Sequence, residues 1–321
     1  MSEQNLMQCL LRHLMSRGYE ARMVSIQHLS DLQEGIEGSY AQGLLDHEFY
    51  QERLAGFEFK PPASLPEAKS LIVIAVPRPQ CEVVFNWHGN ALSLILPPTY
   101  AGYDETRKQV EELLTALLVP HGYRVARVTL SMKLLAVRSG LGFYGRNNIC
   151  YVPAMGSFHQ LVAVCSDIPC SEDDWHDALM MERCQNCIAC LHHCPTGAIA
   201  ADRFLLHAER CVVFHNEKAG NVPFPAWIDP SWHNCLVGCL VCQRVCPQNK
   251  GFLDWVEGTE VFSQEETALI LEGACLNRLS AETLHKLERL DLAESLDALP
   301  RNLEFSSRGK AAKQHCRSAR A

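Results

Sequence analysis

The chain has 321 residues, 47% of them hydrophobic, and a formal net charge of −8. That length leaves room for two domains or one large domain with an insert, and the apolar content is enough for a packed core. The acidic balance argues against indiscriminate binding to nucleic acid or to an anionic membrane. No segment approaches the roughly eighteen uninterrupted apolar residues of a membrane span. Met1 to Met15 lacks the basic start and unbroken apolar run of a signal peptide. No contact with a membrane and a cytoplasmic location are expected.

In chain order, Leu6, Leu10, Leu11 and Leu14 share one face of a helix predicted over 5–16. Leu71 to Val76 is a short apolar run bounded by Lys69-Ser70 and Pro77, which reads as a buried strand. Asp104 to Val119 repeats at helical spacing through Val110, Leu113, Leu114, Leu117 and Leu118, and Pro120 ends it. Met132 to Arg138 predicts another helix; Asn148 to Val152 and Gln160 to Cys165 predict strands. Gly140-Leu-Gly142-Phe-Tyr-Gly145 formally matches the dinucleotide fingerprint. However, a helix precedes it and a strand follows, the reverse of the order a pyrophosphate site needs. The turn suits a place where backbone must approach a large flat ligand.

Two cysteine runs carry most of the chemistry: Cys184-x2-Cys187-x2-Cys190-x3-Cys194-Pro195 and Cys239-x2-Cys242-x3-Cys246-Pro247. The first matches the bacterial ferredoxin run, in which three close thiolates serve one [4Fe–4S] cubane and the fourth crosses to a second. Two cubanes take four thiolates each, and residues 184–246 hold nine cysteines. Zinc sites pair two hooks across a spacer and do not use a third cysteine so close. Two [4Fe–4S] clusters and one-electron transfer are therefore expected. The crossing rule assigns Cys184, Cys187, Cys190 and Cys246 to the first cluster. Cys194, Cys239 and Cys242 fall to the second, with Cys211 or Cys235 as its fourth ligand; spacing leaves that choice open. Pro195 and Pro247 end the cysteine loops, having a fixed φ and no N–H.

Ser139-Gly-Leu-Gly-Phe-Tyr-Gly-Arg-Asn147, Gly156-Ser-Phe158 and the cysteine runs that follow resemble the epoxyqueuosine reductases, corrinoid iron–sulfur enzymes related to reductive dehalogenases. Leu65 to Ile74, Tyr100-Ala-Gly102 and Ala208-Glu-Arg-Cys211 extend the similarity. The resemblance implies an α+β fold: a nitroreductase-like corrinoid-binding domain with a ferredoxin-like double [4Fe–4S] domain. It implies cobalamin as a further cofactor, a low-potential electron donor, tRNA as a possible partner, and removal of the epoxide oxygen of epoxyqueuosine. It favours Cys211 over Cys235. It also points to the matched turn, Gly140, Gly142, Gly145, Arg146 and Asn147, as the cofactor-binding residues.

The chain departs from the family in three places. Where the family has an aspartate in a Val-Asp-Ser-Ala-Pro stretch, this sequence reads Arg127-Val-Thr-Leu-Ser131 and has no carboxylate. Asp104-Glu105-Thr106-Arg107 keeps only the aspartate of Asp-Tyr-His-Lys. In place of the family's helical repeats, two short helices are expected near Ser280–Leu290 and Ala293–Leu299. Asp104 and Tyr144 are the weak candidates for a proton donor, followed by Glu105 and Tyr103; acids at 104 and 105 equally suit the first turn of a helix. His192 and His193 fit cluster surroundings better than ligation, and His88 fits a polar loop. Cys9, Cys81, Cys150, Cys165, Cys275 and Cys316 read as small apolar residues or surface thiols, with Cys170 held open as a ligand.

The expected division is an α/β domain over 1–180, a double-cluster domain over 181–250, a short helical segment over 251–300, and a disordered basic tail over 301–321. That tail carries Arg301, Arg308, Lys310, Lys313, Arg317 and Arg320 against Glu304, which suits an arm for RNA. The alternative to a corrinoid-dependent reductase is an electron carrier without corrinoid that serves a partner enzyme.

Overall fold

The computed structural model describes residues 3–170 and 173–318. The chain begins with α1 (Glu3–Ser16), β1 (Glu20–Ser25), α2 (Leu29–Ala41), α3 (His47–Arg53), β2 (Ser70–Pro77), β3 (Gln80–Trp87) and β4 (Asn90–Leu96). It continues through α4 (Tyr103–Leu118), β5 (Val125–Arg127), α5 (Met132–Arg138), β6 (Phe143–Tyr144), β7 (Cys150–Tyr151) and β8 (His159–Ser166). Then follow α6 (Ala189–His193), α7 (Val212–Asn216), α8 (Val241–Arg244), β9 (Val256–Phe262), α9 (Gln264–Leu271), α10 (Ala281–Arg289) and α11 (Leu299–Ser318). The fold is α+β, as expected. Among the described residues no helix is long and apolar enough to cross a membrane.

The elements form two compact units, and neither is continuous in sequence. The first comprises Met1–Arg78, Asp104–Ile188 and Ile199–Ala208; the second comprises Pro79–Tyr103, Ala189–Ala198 and Glu209–Ala321.

In the first unit, β1, β2, β8 and β5 form an antiparallel sheet in that order. The run Leu71–Val76 pairs with Gln160–Cys165, and both strands are buried along this length. Burial of both faces is why β2 reads as an unbroken apolar run rather than an alternating one. Each fully buried Leu, Ile or Val there contributes about 1.5–3 kcal/mol. Helix α5 closes one face, placing Leu135, Ala136 and Val137 in the core with Leu71, Val73 and Ala163.

The second unit is built on a sheet of order β4-β3-β9, in which β3 pairs antiparallel with β4 and parallel with β9. Phe85 and Phe262 stack at 4.9 Å in its core beside Leu287, Leu299 and Leu303. The strand β9 falls inside the segment expected to be helical. Its residues are exposed except Phe262 and the partly buried Glu260, and Gly258 has φ 78°. It therefore shows no strand pattern in sequence and is held by pairing with a distant partner. The second expected helix, Ala293–Leu299, is only a 3-10 turn at Leu296–Ala298 leading into α11.

The basic tail is a correction. Arg301 to Lys310 lie in α11, with Asn302, Leu303 and Ser306 buried. The Arg301 guanidinium stacks 4.8 Å over Phe224 and donates to the carbonyls of Asn216, Lys218, Ala219 and Val222. Its charge caps main-chain carbonyls, and the helix buries polar groups that leave no apolar stripe to read. Residues 319–321, including Arg320, lie outside the described ones.

His159, at the start of β8, is 4% exposed, and burial pushes its pKa down to about 4 against a weaker hydrogen bond at Gly156. Its Nδ1 has no hydrogen-bond partner among the described residues. The folded state therefore favours the neutral ring. The associated stability is fully present above the ordinary histidine range and is lost as pH falls from about 6.5 towards 4, on the order of 3 kcal/mol in all. Thermal unfolding from pH 7 to pH 4.5 should show the midpoint of His159→Gln falling less steeply than that of the parent.

Candidate metal centre

The first cysteine run begins where the first unit anchors it. In the hairpin β6–β7, the Tyr144 N–H donates to the Leu179 carbonyl and the Met181 N–H donates to the Tyr144 carbonyl, both at 2.9 Å. Arg146 then reaches the loop itself, donating to the carbonyls of Cys184 at 2.7 Å, Cys187 at 3.2 Å and Gln185 at 3.3 Å. A tight cysteine loop has main-chain carbonyls that no helix or sheet satisfies, and a guanidinium supplies the donors.

The glycine turn is explained by the same hairpin. A Cβ at Gly142 would stand 2.7 Å from the Tyr151 carbonyl and 2.9 Å from Cys150 Sγ, and one at Gly145 would stand 2.6 Å from the Tyr151 ring. Gly140 has φ 73°, and a Cβ there would meet the Asp174 carboxylate at 3.1 Å. Asn147 donates to the Tyr151 hydroxyl at 3.0 Å and accepts the Ile149 N–H at 3.3 Å. The protein's own strand thus leaves no room for side chains at 142 and 145. The turn lies between a helix and a hairpin, which is no dinucleotide geometry.

The two candidate proton donors stand apart in character. Tyr144 is largely buried against Phe204, ring centroids 5.6 Å apart, and burial raises its pKa well above the ordinary tyrosine value. Asp104 is in the first turn of α4, 65% exposed, and accepts from Arg107 at 2.6 Å. It serves the helix start. His88 is at the exposed tip of the β3–β4 hairpin with φ 48°. The Cys170 thiol donates to the Met23 carbonyl at 3.7 Å. Cys150 and Cys165 are buried, Cys81 is half-buried, and Cys9 and Cys275 are exposed. The Cys316 side chain lies outside the described ones.

In the second unit, the short helices α6 and α8 lie within the two cysteine runs and pack on each other. Cys190 is on α6 and Cys194 just beyond it; Cys242 is on α8 and Cys246 just beyond that. Cys211 caps α7. Asn216, at the end of α7, donates to the Gly238 carbonyl at 2.7 Å and accepts the Gly238 N–H at 3.1 Å, which fixes α7 against the loop into Cys239. Gly238 is tight for another reason: a Cβ there would lie 2.6 Å from the Tyr100 ring. The Tyr100 hydroxyl donates to Glu217.

Burial pushes the Cys211 thiol up to about 12, and the neighbouring Cys239 and Cys194 thiols add to the shift. Cys239 is likewise raised by burial and feels Cys194. Cys235 is raised by burial and by the Cys239 thiol, and its S–H donates to Asn234 Oδ1 at 3.1 Å. Asn234 Nδ2 donates to Cys239 Sγ at 3.2 Å. Cys211 is thus within electrostatic reach of both Cys194 and Cys239. Among the described residues no three His, Cys, Asp or Glu side chains are close enough to share one ion. In a cubane each thiolate binds its own iron, so its ligands stand apart. The donor set fits an iron–sulfur cluster: several thiols, largely buried, with an amide donating to one sulfur. Asn216 and Asn234 were not singled out from the sequence; asparagines adjoining cysteine and glycine loops were the available signal.

Residues 183–249 match the family model of the 4Fe-4S double cluster binding domain. The chain is thus an α+β protein carrying a paired iron–sulfur domain. Its resemblance to the epoxyqueuosine reductases is borne out by both sequence and fold. It is 28% identical over 230 residues to the epoxyqueuosine reductase of Staphylococcus aureus, covering 69% of this chain and 58% of that relative. The match thus spans little more than half the length of that curated relative. The structure of Bacillus subtilis epoxyqueuosine reductase superposes with a TM-score of 0.65 at 22% identity, over 97% of this chain and 84% of the other. An epoxyqueuosine reductase solved with an epoxyqueuosine-modified tRNA stem loop gives the same TM-score, identity and coverage.

Removing the Arg146 guanidinium leaves three loop carbonyls short of a donor. Arg146→Ala should release iron to a chelator about ten-fold faster than the parent, as followed by cluster absorbance. Arg146→Lys should fall between the two.

Proposed function

We propose that this chain is an iron–sulfur oxidoreductase that passes low-potential electrons through two [4Fe–4S] clusters to a bound corrinoid. The observation that carries the redox reading is the grouping of Cys194, Cys211 and Cys239, with Cys242 beside them in sequence, inside a matched double-cluster domain. These four are the proposed ligands of the second cluster, and Cys184, Cys187, Cys190 and Cys246 those of the first. Crossing of the last cysteine of each run brings the two cubanes close enough for electron transfer.

The corrinoid reading is supported by similarity to epoxyqueuosine reductases over most of the chain. A corrinoid supplies a cobalt centre that can be reduced to a strong nucleophile or one-electron donor. The chain's own residues then orient the substrate and deliver a proton. The proposed reaction is reductive removal of an epoxide oxygen, with epoxyqueuosine in tRNA as the first substrate to test, since a similar structure holds that stem loop. Arg127 to Ser131 offers no carboxylate for the proton, which separates this chain from the family pattern. The alternative is a [4Fe–4S] electron-transfer protein without corrinoid. The self-sufficient packing of the glycine turn favours it, because the missing Cβ atoms at 142 and 145 then need no ligand.

Cys211→Ser should lose one of the two cluster signals in electron paramagnetic resonance and about half the iron, whereas Cys235→Ser should keep both; the reverse result would move the fourth ligand to Cys235. Anaerobic titration of the cluster-loaded protein with cob(II)alamin decides between the functions. A stoichiometric base-off spectrum is expected for the reductase, and an unchanged free-cobalamin spectrum would leave the electron carrier.

A further inference from the structure

A cavity of about 470 Å3 lies within the second unit, lined by Pro195, Thr196, Glu209, Arg210, Trp227 and Trp232. Its wall is continuous with two of the proposed second-cluster ligands. Pro195 follows Cys194 and Arg210 precedes Cys211 in the chain. Thr196 Oγ1 stands 3.6 Å from Cys194 Sγ, which joins the cavity wall to a thiol by a single contact.

Of the two tryptophans, Trp232 is half-buried and Trp227 stands out into solvent. Trp227 is 47% exposed, which leaves a large indole surface in water. It is nevertheless positioned. The His215 ring meets it edge-on at 5.4 Å, and His215 Nε2 is hydrogen-bonded at 2.8 Å to the carbonyl of Glu209, itself part of the lining. An exposed aromatic held in place beside a small cavity is a surface for stacking a flat ring. A space of this size accommodates a molecule of two or three fused or linked rings.

We infer that this cavity docks the planar aromatic group of a one-electron donor and delivers its electron to the second cluster. The inference rests on Cys194 and Cys211 being ligands of that cluster, as proposed above. The donor is oxidised by one electron and the [4Fe–4S]2+ cluster is reduced to [4Fe–4S]+; no covalent bond forms or breaks. The indoles stack the ring, Glu209 and Arg210 set the charge at the mouth, and Thr196 links the wall to Cys194.

The test uses the full chain with both clusters loaded, mixed anaerobically in a stopped-flow instrument with the methyl viologen radical cation. The parent's reduction rate should saturate with viologen concentration. The double variant Trp227→Ala/Trp232→Ala should be about ten-fold slower at low concentration and lose saturation. Trp227→Phe/Trp232→Phe should retain most of the rate, since it keeps a stacking face. Dithionite, whose reducing radical has no ring to stack, should reduce parent and both variants at one rate. A viologen rate unchanged in the alanine pair overturns the inference, and so does an equal slowing with dithionite, which would report a disturbed cluster instead of a lost dock. Failure of the ligand assignment is read separately, because Cys211→Ser would then keep both cluster signals before any donor is added.

Discussion

Burying several thiols together is unfavourable, and the second unit depends on resolving that cost. Cys211 is pushed up to about 12, and Cys235 and Cys239 are also raised, in each case chiefly by removal from water. At neutral pH such a thiol keeps its proton unless a cation takes the proton's place, so iron binding and release of protons are one event. The cluster is then part of the fold. The short helices α6, α7 and α8 contain only four or five residues each, too short to hold themselves in water, and thiolate–iron bonds at the proposed ligands would close the loops that connect them.

What the thiols need from the rest of the chain is fixed geometry, and it comes mostly from side chains that satisfy main-chain groups. Arg146 holds the carbonyls of the 184–187 loop in the first unit. Asn216 and Asn234 do the same work in the second, tying α7 to Gly238 and Asn234 to Leu240 and Cys239. Loops outside helix and sheet leave donors and acceptors that must be paired. This is why single polar residues far from the cysteine runs carry structural weight, and why Arg301, at the start of α11, caps four carbonyls between Asn216 and Val222.

The elements legible in sequence were those whose burial follows a period. The amphipathic α1 and α4, the fully buried β2 and β8, and α5 could all be read, the last with the same bounds, Met132–Arg138. Elements held by pairing with something remote could not. The strands β3 and β4 lie in a stretch that alternates weakly and includes exposed Trp87. The strand β9 is almost wholly exposed and lies beside β3 across about 170 residues of chain. The basic residues of 301–310 read as a disordered arm because their charge is visible in sequence, whereas the carbonyls that Arg301 satisfies are not.

The sequence alone determined the chemistry. Cysteine spacing along the chain is a local, covalent property, and it dictates which thiolates one cubane can collect from a single loop. The tertiary structure decided what local spacing cannot reach. Cys211 and Cys235 both precede Cys239, and only the path of α7 and the Asn216–Gly238 bonds bring Cys211 to where it feels Cys194 as well as Cys239. Likewise Gly142 and Gly145 are required in any reading of the turn, but what lies against them is a matter of packing through space. The neighbour is the Tyr151 strand of the same hairpin.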